Sequence, residues 1–181
     1  MPRPRILRIL FWVTSVLLVA FVVAAFFLPR QMKVSRAVVI SAGPVAVFDK
    51  LQSLKQWESW GPWFRRDRFV DKKFDGPESG EGAVMDWKSS GGETGRVKIV
   101  SALRPESLHL AVQFTDSGDA ETWFELKDAG GGATELTWGF QADFGQNMAR
   151  RYFGLFAAHT GGNDLEEGLA NLKALLEKPV P

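Results

Sequence analysis

This chain has no cysteine, one tyrosine and two histidines. The missing cysteine excludes disulfides, thiolate metal sites and a cysteine nucleophile. The scarce histidines argue against a metal centre. Common zinc motifs bring three or four protein ligands at recognisable spacing, whereas His109 and His159 stand far apart with no HExxH pattern. No serine sits in a GxSxG elbow. The glycines at Gly91–Gly95 and Gly130–Gly132 lack GxGxxG or Walker spacing and suit hairpin turns instead. An excess of positive charge is also lacking beyond residue 30. Residues 1–30 carry four arginines and no acid, so the remainder holds 18 Lys+Arg against 21 Asp+Glu, a formal charge of −3. A nucleic-acid binder shows a basic face or stripe. Here the densest basic run, Arg65–Arg68, is short and contains an acid. No nucleic-acid partner, metal or cofactor is expected.

One long hydrophobic run is present. Ile9–Leu28, ILFWVTSVLLVAFVVAAFFL, holds 20 uncharged residues. As a helix it is about 30 Å long, the thickness of a bilayer's hydrocarbon layer. Arg3, Arg5 and Arg8 precede it; Arg30, Lys33 and Arg36 follow it; Trp12 sits near one end, as interfacial aromatics do. The run exceeds the apolar region of a cleaved signal peptide, and bulky Phe26, Phe27 and Leu28 stand where a small-x-small cleavage site belongs. It reads as an uncleaved signal anchor over residues 1–30, touching the membrane through residues 9–28 and followed by one domain over residues 31–178.

Within that domain the hydrophobic period changes twice. Met32–Ile40 alternates as a strand. After Ser41-Ala-Gly-Pro44, the residues Val47, Phe48, Leu51 and Leu54 recur at helical spacing. The stretch LKQWESWGPW then places Trp57, Trp60 and Trp63 three apart, with Gly61-Pro62 limiting any helix. Six period-two segments follow, starting near Phe69, Ala83, Arg96, Leu108, Thr122 and Thr134, with glycine-rich turns between several of them. That order predicts an antiparallel meander. A helix is expected over Gln146–Ala158, then a break at Thr160-Gly161-Gly162. A second helix follows, capped by Asn163 or Asp164 and carrying Leu165, Leu169, Leu172, Leu175 and Leu176 on one face. A sheet with one apolar face needs a cover, and the terminal helix is long enough to supply it.

Three stretches, VSRAVVISAGPVAVFDKLQSLKQWESWGPW, FDGPESGEGAVMDWKSS and GRVKIVSALRPESLHLAVQF, together with the tail GNDLEEGLANLKALLE, resemble the START-like, or SRPBCC, superfamily, in particular its bacterial polyketide cyclase/dehydrase-like members. The resemblance covers nearly all of residues 32–177. It implies an α+β helix-grip fold: a seven-stranded antiparallel sheet around a long C-terminal helix, here with one N-terminal transmembrane helix added. It also implies a cavity between sheet and helix for a hydrophobic small molecule or lipid. With the anchor, the expected location is a bacterial inner membrane, the amino terminus cytoplasmic and the domain periplasmic.

The expected pocket residues are Trp60, Trp63, Trp87, Leu110, Phe114, Trp123, Trp138, Phe140 and Phe156, large apolar groups suited to an apolar ligand. Were the chain an enzyme, polar groups would have to converge on that pocket, and His159, Tyr152, Asp143 and Gln141 are the candidates. His109 alternates with Leu108 and Leu110 and belongs to the opposite face. Three functions follow: a non-catalytic membrane-tethered binder of an apolar ligand, a cyclase or dehydratase acting on a polyketide-like substrate, and an envelope interaction module with a filled core. The poor catalytic inventory favours the first.

Overall fold

A computed structural model describes residues 4–66, 71–115, 118–145 and 148–178; at 4–6, 25–26, 148–150 and 153–160 the description is of the backbone alone. The chain begins with α1 (Pro4–Phe27). Its Leu7–Ala24 segment has a mean hydropathy of 2.4, is long and apolar enough to cross a membrane, and is not buried against the rest of the molecule. Only Leu28, Pro29 and Arg30 separate α1 from β1 (Gln31–Ile40). Then come α2 (Pro44–Leu51), a 3-10 turn (Leu54–Ser59), α3 (Pro62–Arg66), β2 (Asp71–Asp75), β3 (Val84–Lys88), β4 (Thr94–Leu103), β5 (Ser107–Phe114), β6 (Gly118–Gly130), β7 (Ala133–Asp143) and α4 (Met148–Leu176). Pro44 occupies the first turn of α2, where its missing N–H costs no helical bond.

The seven strands form one antiparallel sheet in the order β1-β7-β6-β5-β4-β3-β2. The chain's first strand closes against its last, and the remainder is a meander. Alternation assigns the faces. Ile40, Leu136, Leu126, Phe124, Leu108, Ile99 and Met85 point inward and are buried, while His109, Glu121, Glu125 and Glu135 point to solvent. The alternation of Leu108, Leu110, Val112 and Phe114 thus marks an inner face, as the sequence predicts. The strand expected from Phe69 begins at Asp71; Phe69 and Val70 lie outside the described residues.

The helix covering the inner face departs from expectation. α4 is continuous from Met148 to Leu176, with no break at Gly161-Gly162 and no cap at Asn163 or Asp164. The glycines serve contact instead. A Cβ on Gly162 would meet the tip of the Arg36 side chain at 2.7 Å and Val34 Cγ2 at 3.6 Å, so α4 lies close along β1 there. Gly168 does the same against Trp138, whose ring would stand 2.5 Å from an added Cβ. Along the same flank Arg36 Nε donates to Glu166 at 2.5 Å, Lys173 Nζ to the Val39 carbonyl at 2.7 Å, and the Ser41 N–H to Glu177 at 2.7 Å. Leu165, Leu169 and Leu172 face the sheet and are buried.

Candidate ligand-binding site

The inner face has two unlike ends. At the end where β1 finishes, α2 and the 3-10 turn are seated on the sheet, and their tryptophans fill it. Trp57 and Trp60 lie 5.3 Å apart between ring centroids, Trp60 is 5.4 Å from Trp138, and Phe124 is 5.1 Å from Trp138. These are tilted or edge-on contacts, the favoured aromatic geometries. Trp57 donates its indole N–H to the Leu51 carbonyl at 2.8 Å, and Trp138 donates to Thr122 Oγ1 at 2.8 Å. Thr122, itself buried, passes its hydroxyl proton to the Gly139 carbonyl at 2.8 Å. The fully buried Trp60 Nε1 has no partner among the described residues.

At the other end, where β1 starts and β5 and β7 finish, the inner face is only partly covered. Phe140, Ala142, Val112, Phe114 and Trp87 are half-buried there. The register brings them together: Ala142 pairs with Ala120, which pairs with Val112, while Phe114 pairs with Gly95, which pairs with Trp87. Trp87 stacks edge-on against Phe114 at 5.9 Å and lies over Gly95, where a Cβ would stand 2.5 Å from its ring. An open groove of 580 Å³ lies mainly on the outer face, lined by Asp71, Lys73, Asp86, Lys88, Arg96 and Gln113, and reaches Trp87, Gly95 and Phe114 only at the strand ends. Within that outer groove Arg96 binds Asp86 through two hydrogen bonds of 2.6 and 3.0 Å, which hold the Asp86 carboxyl below its ordinary value.

One short element, α3, fastens the sealed end to α4. Trp63 packs edge-on against Trp138 at 5.7 Å and donates to Asp164 at 3.1 Å, so it belongs to the α3–α4 seam, with 39% of it exposed. Arg66 also bonds Asp164, at 2.6 Å, and reaches Glu167; the Asp164 bond is the larger cause of its raised pKa. Arg65 donates to Asn171 at 2.6 Å.

Of the expected pocket residues, Trp60, Leu110 and Trp138 lie in the filled part of the inner face, and Trp87, Phe114 and Phe140 lie in the open part. Trp123 does not join them. It stands on the outer face over Gly139, with Lys33 Nζ 5.0 Å from its ring centroid. The reason is local: Gly139 on the neighbouring strand leaves a gap that the indole covers. Val112 and Ala142, absent from the expected set, are legible from the same period-two pattern.

The polar candidates are dispersed. Asp143 lies on the outer face, exposed, accepting from the Gly145 N–H at 2.7 Å and from Gln31 at 3.2 Å. Those bonds, the Gly145 one foremost, hold its carboxyl below the ordinary value. Gln141 lines an outer groove of 360 Å³ near it. Tyr152 stacks on Phe21 of α1 with ring centroids 4.2 Å apart. His159 and Phe156 fall in α4, and their side chains lie outside the described residues. Among the described residues no cluster of three or more histidines and acids could hold a metal ion.

Residues 31–177 match the family described as polyketide cyclase / dehydrase and lipid transport. The chain belongs to this family. A crystal structure of a protein from Chromobacterium violaceum is 19% identical, covering 83% of this chain and 99% of its own, with a TM-score of 0.54. CalU16 from Micromonospora echinospora is 17% identical, covering 82% and 77%, with a TM-score of 0.55. The Aha1 dimer from Colwellia psychrerythraea is 17% identical, covering 80% and 96%, with a TM-score of 0.55. At these identities the likeness is one of fold, and one fold hosts many functions. No curated protein matches the chain.

Proposed function

We propose that the protein is a membrane-anchored family member that binds a hydrophobic small molecule or lipid, without catalysis, at the half-covered end of its inner face. The carrying observation is the group Phe140, Ala142, Val112, Phe114 and Trp87, apolar and half-buried on a face whose other end is fully packed. Apolar surface left partly wet gains by covering, and about 25 cal/mol for each Å² removed from water is available to a ligand that covers it. The polar candidates support binding over turnover: Asp143 caps a turn on the far face, and Tyr152 contacts α1. Division of the chain at residue 30, with α1 as an uncleaved anchor, agrees with the exposed apolar surface of that helix and its three-residue link to β1. The basic residues flanking α1, with the amino terminus added, favour a cytoplasmic start and a domain across the inner membrane of a bacterium.

The test is native mass spectrometry of the full chain released from a mild detergent, before and after delipidation. An apolar ligand should co-purify, leave on extraction and rebind, and Phe140→Ala and Phe114→Ala should weaken rebinding while circular dichroism stays unchanged. Absence of both a co-purified ligand and any binding across phospholipids, fatty acids and isoprenoids would sink the reading.

A further inference from the structure

The start of α4 is fastened to α1 rather than to the sheet. Tyr152 lies flat on Phe21, the ring planes 4° apart, and its hydroxyl donates to the Phe21 carbonyl. Phe21 lies inside the apolar Leu7–Ala24 segment. Helix and strand spacing put the contact beyond the sheet. Gly162 packs against β1 near Val34 and Arg36. The helix between Tyr152 and Gly162 is about 15 Å long, whereas the part of β1 before Val34 extends only about 10 Å. α4 therefore overhangs the end of the sheet, at the level of the link between α1 and β1.

Composition divides α4 at the same place. From Phe144 to Asn163 there is no acidic residue, and the stretch holds Arg150, Tyr152, Phe153, Leu155 and Phe156, beside Arg151, which is buried and donates to the Gly145 carbonyl at 3.0 and 3.2 Å. From Asp164 to Glu177 there are four acids. Aromatic rings with a basic residue and no acids suit the headgroup layer of a bilayer, and Arg30 and Lys33 add positive charge at the same end of the sheet.

We propose that the first three turns of α4, Met148–Ala158, lie in the interfacial layer of the bilayer beside α1 and form a second membrane contact. The inference rests on α1 being a membrane anchor. It has a consequence for ligand traffic. The half-covered Phe140, Ala142, Val112 and Phe114 belong to the sheet end at which β1 starts, so that end faces the lipid and the ligand enters from the leaflet without crossing water.

The absence of native cysteine makes the test clean. Single cysteines replace Val16 in α1, Ala149 and Leu155 in the start of α4, and Asp128 at the far end of β6, in the full chain in phospholipid nanodiscs. Each carries an environment-sensitive fluorophore, and circular dichroism checks folding. Val16→Cys should be quenched by deep spin-labelled lipid. Leu155→Cys, Ala149→Cys or both should be quenched by shallow spin-labelled lipid and be several-fold less open to iodide than Asp128→Cys. If both α4 positions are as open to iodide as Asp128→Cys while Val16→Cys stays deep, the interfacial contact is wrong and the anchor stands. If Val16→Cys is itself open to iodide, the anchor reading fails and this inference fails with it.

Discussion

The two ends of the sheet's inner face are built from the same alternating strands, yet one is sealed and the other is not. At the sealed end Ile40, Leu136, Phe124, Leu108 and Ile99 are fully buried beneath α2, the 3-10 turn and the second half of α4. At the other end Phe140, Val112, Phe114 and Trp87 keep part of their surface in solvent. Strand periodicity dictates which residues face inward. Whether they become core or site is decided by what is seated on them, and here the deciding groups are Trp57 and Trp60. These two are structural: they pack the sealed end, and the proposed binding site is the opposite end.

Truncation should separate the ends most sharply. Trp60→Ala removes a fully buried ring from a cluster with Trp57, Phe124 and Trp138 and should cost about 3–5 kcal/mol in urea unfolding. Phe114→Ala, at a half-buried position, should cost only about 1 kcal/mol and act on ligand binding instead. Equal losses at the two positions would erase the distinction.

Glycines of α4 give a second, smaller contrast. Gly168→Ala drives a methyl into the Trp138 ring and towards Pro62, an overpacking that should cost about 1–3 kcal/mol. Gly161 has only Val34 Cγ1, at 4.0 Å, near the place of a new Cβ. Gly161→Ala should therefore gain about 0.5–1 kcal/mol from helix propensity and a stiffer unfolded chain. Thermal unfolding of the two variants reads the opposite signs directly.

The smallest effect concerns pH. The Asp143 carboxyl is held below its ordinary value of 3.8 by the Gly145 N–H and by Gln31. A carboxyl depressed in the folded state contributes stability that is present above 3.8 and lost as pH falls through its lowered folded value. Asp143→Asn should flatten the acid limb of the stability profile in that window and leave ligand binding unchanged at neutral pH. A loss of binding at neutral pH would instead give the outer-face groove a part in function.

Much of this was legible in the sequence. The apolar run of α1, the alternation of β1 and of Leu108–Phe114, and the leucine face of α4 each follow from a hydrophobic period. Two features did not follow, for physical reasons. Gly161-Gly162 reads locally as a break, because glycine is a poor helix former; the bonds of α4 along β1, Arg36 to Glu166 and Lys173 to the Val39 carbonyl, and its buried leucines outweigh that preference. Trp123 reads as one more pocket aromatic, although the alternation of Thr122, Phe124 and Leu126 places it on the outer face, where Gly139 makes room for it. The filled and open ends were not distinguishable at all, since that depends on how the short helices sit across strands distant in sequence.

The most direct test of the account is photo-crosslinking of the full chain in membranes containing a phospholipid with a diazirine on its acyl chain, followed by peptide mapping. Adducts are predicted on Val112–Phe114 and Phe140–Ala142 as well as on α1, and none at Leu108 or Leu126. Adducts confined to α1, or appearing at the sealed end, would contradict the claim that the open end of the inner face is the binding site.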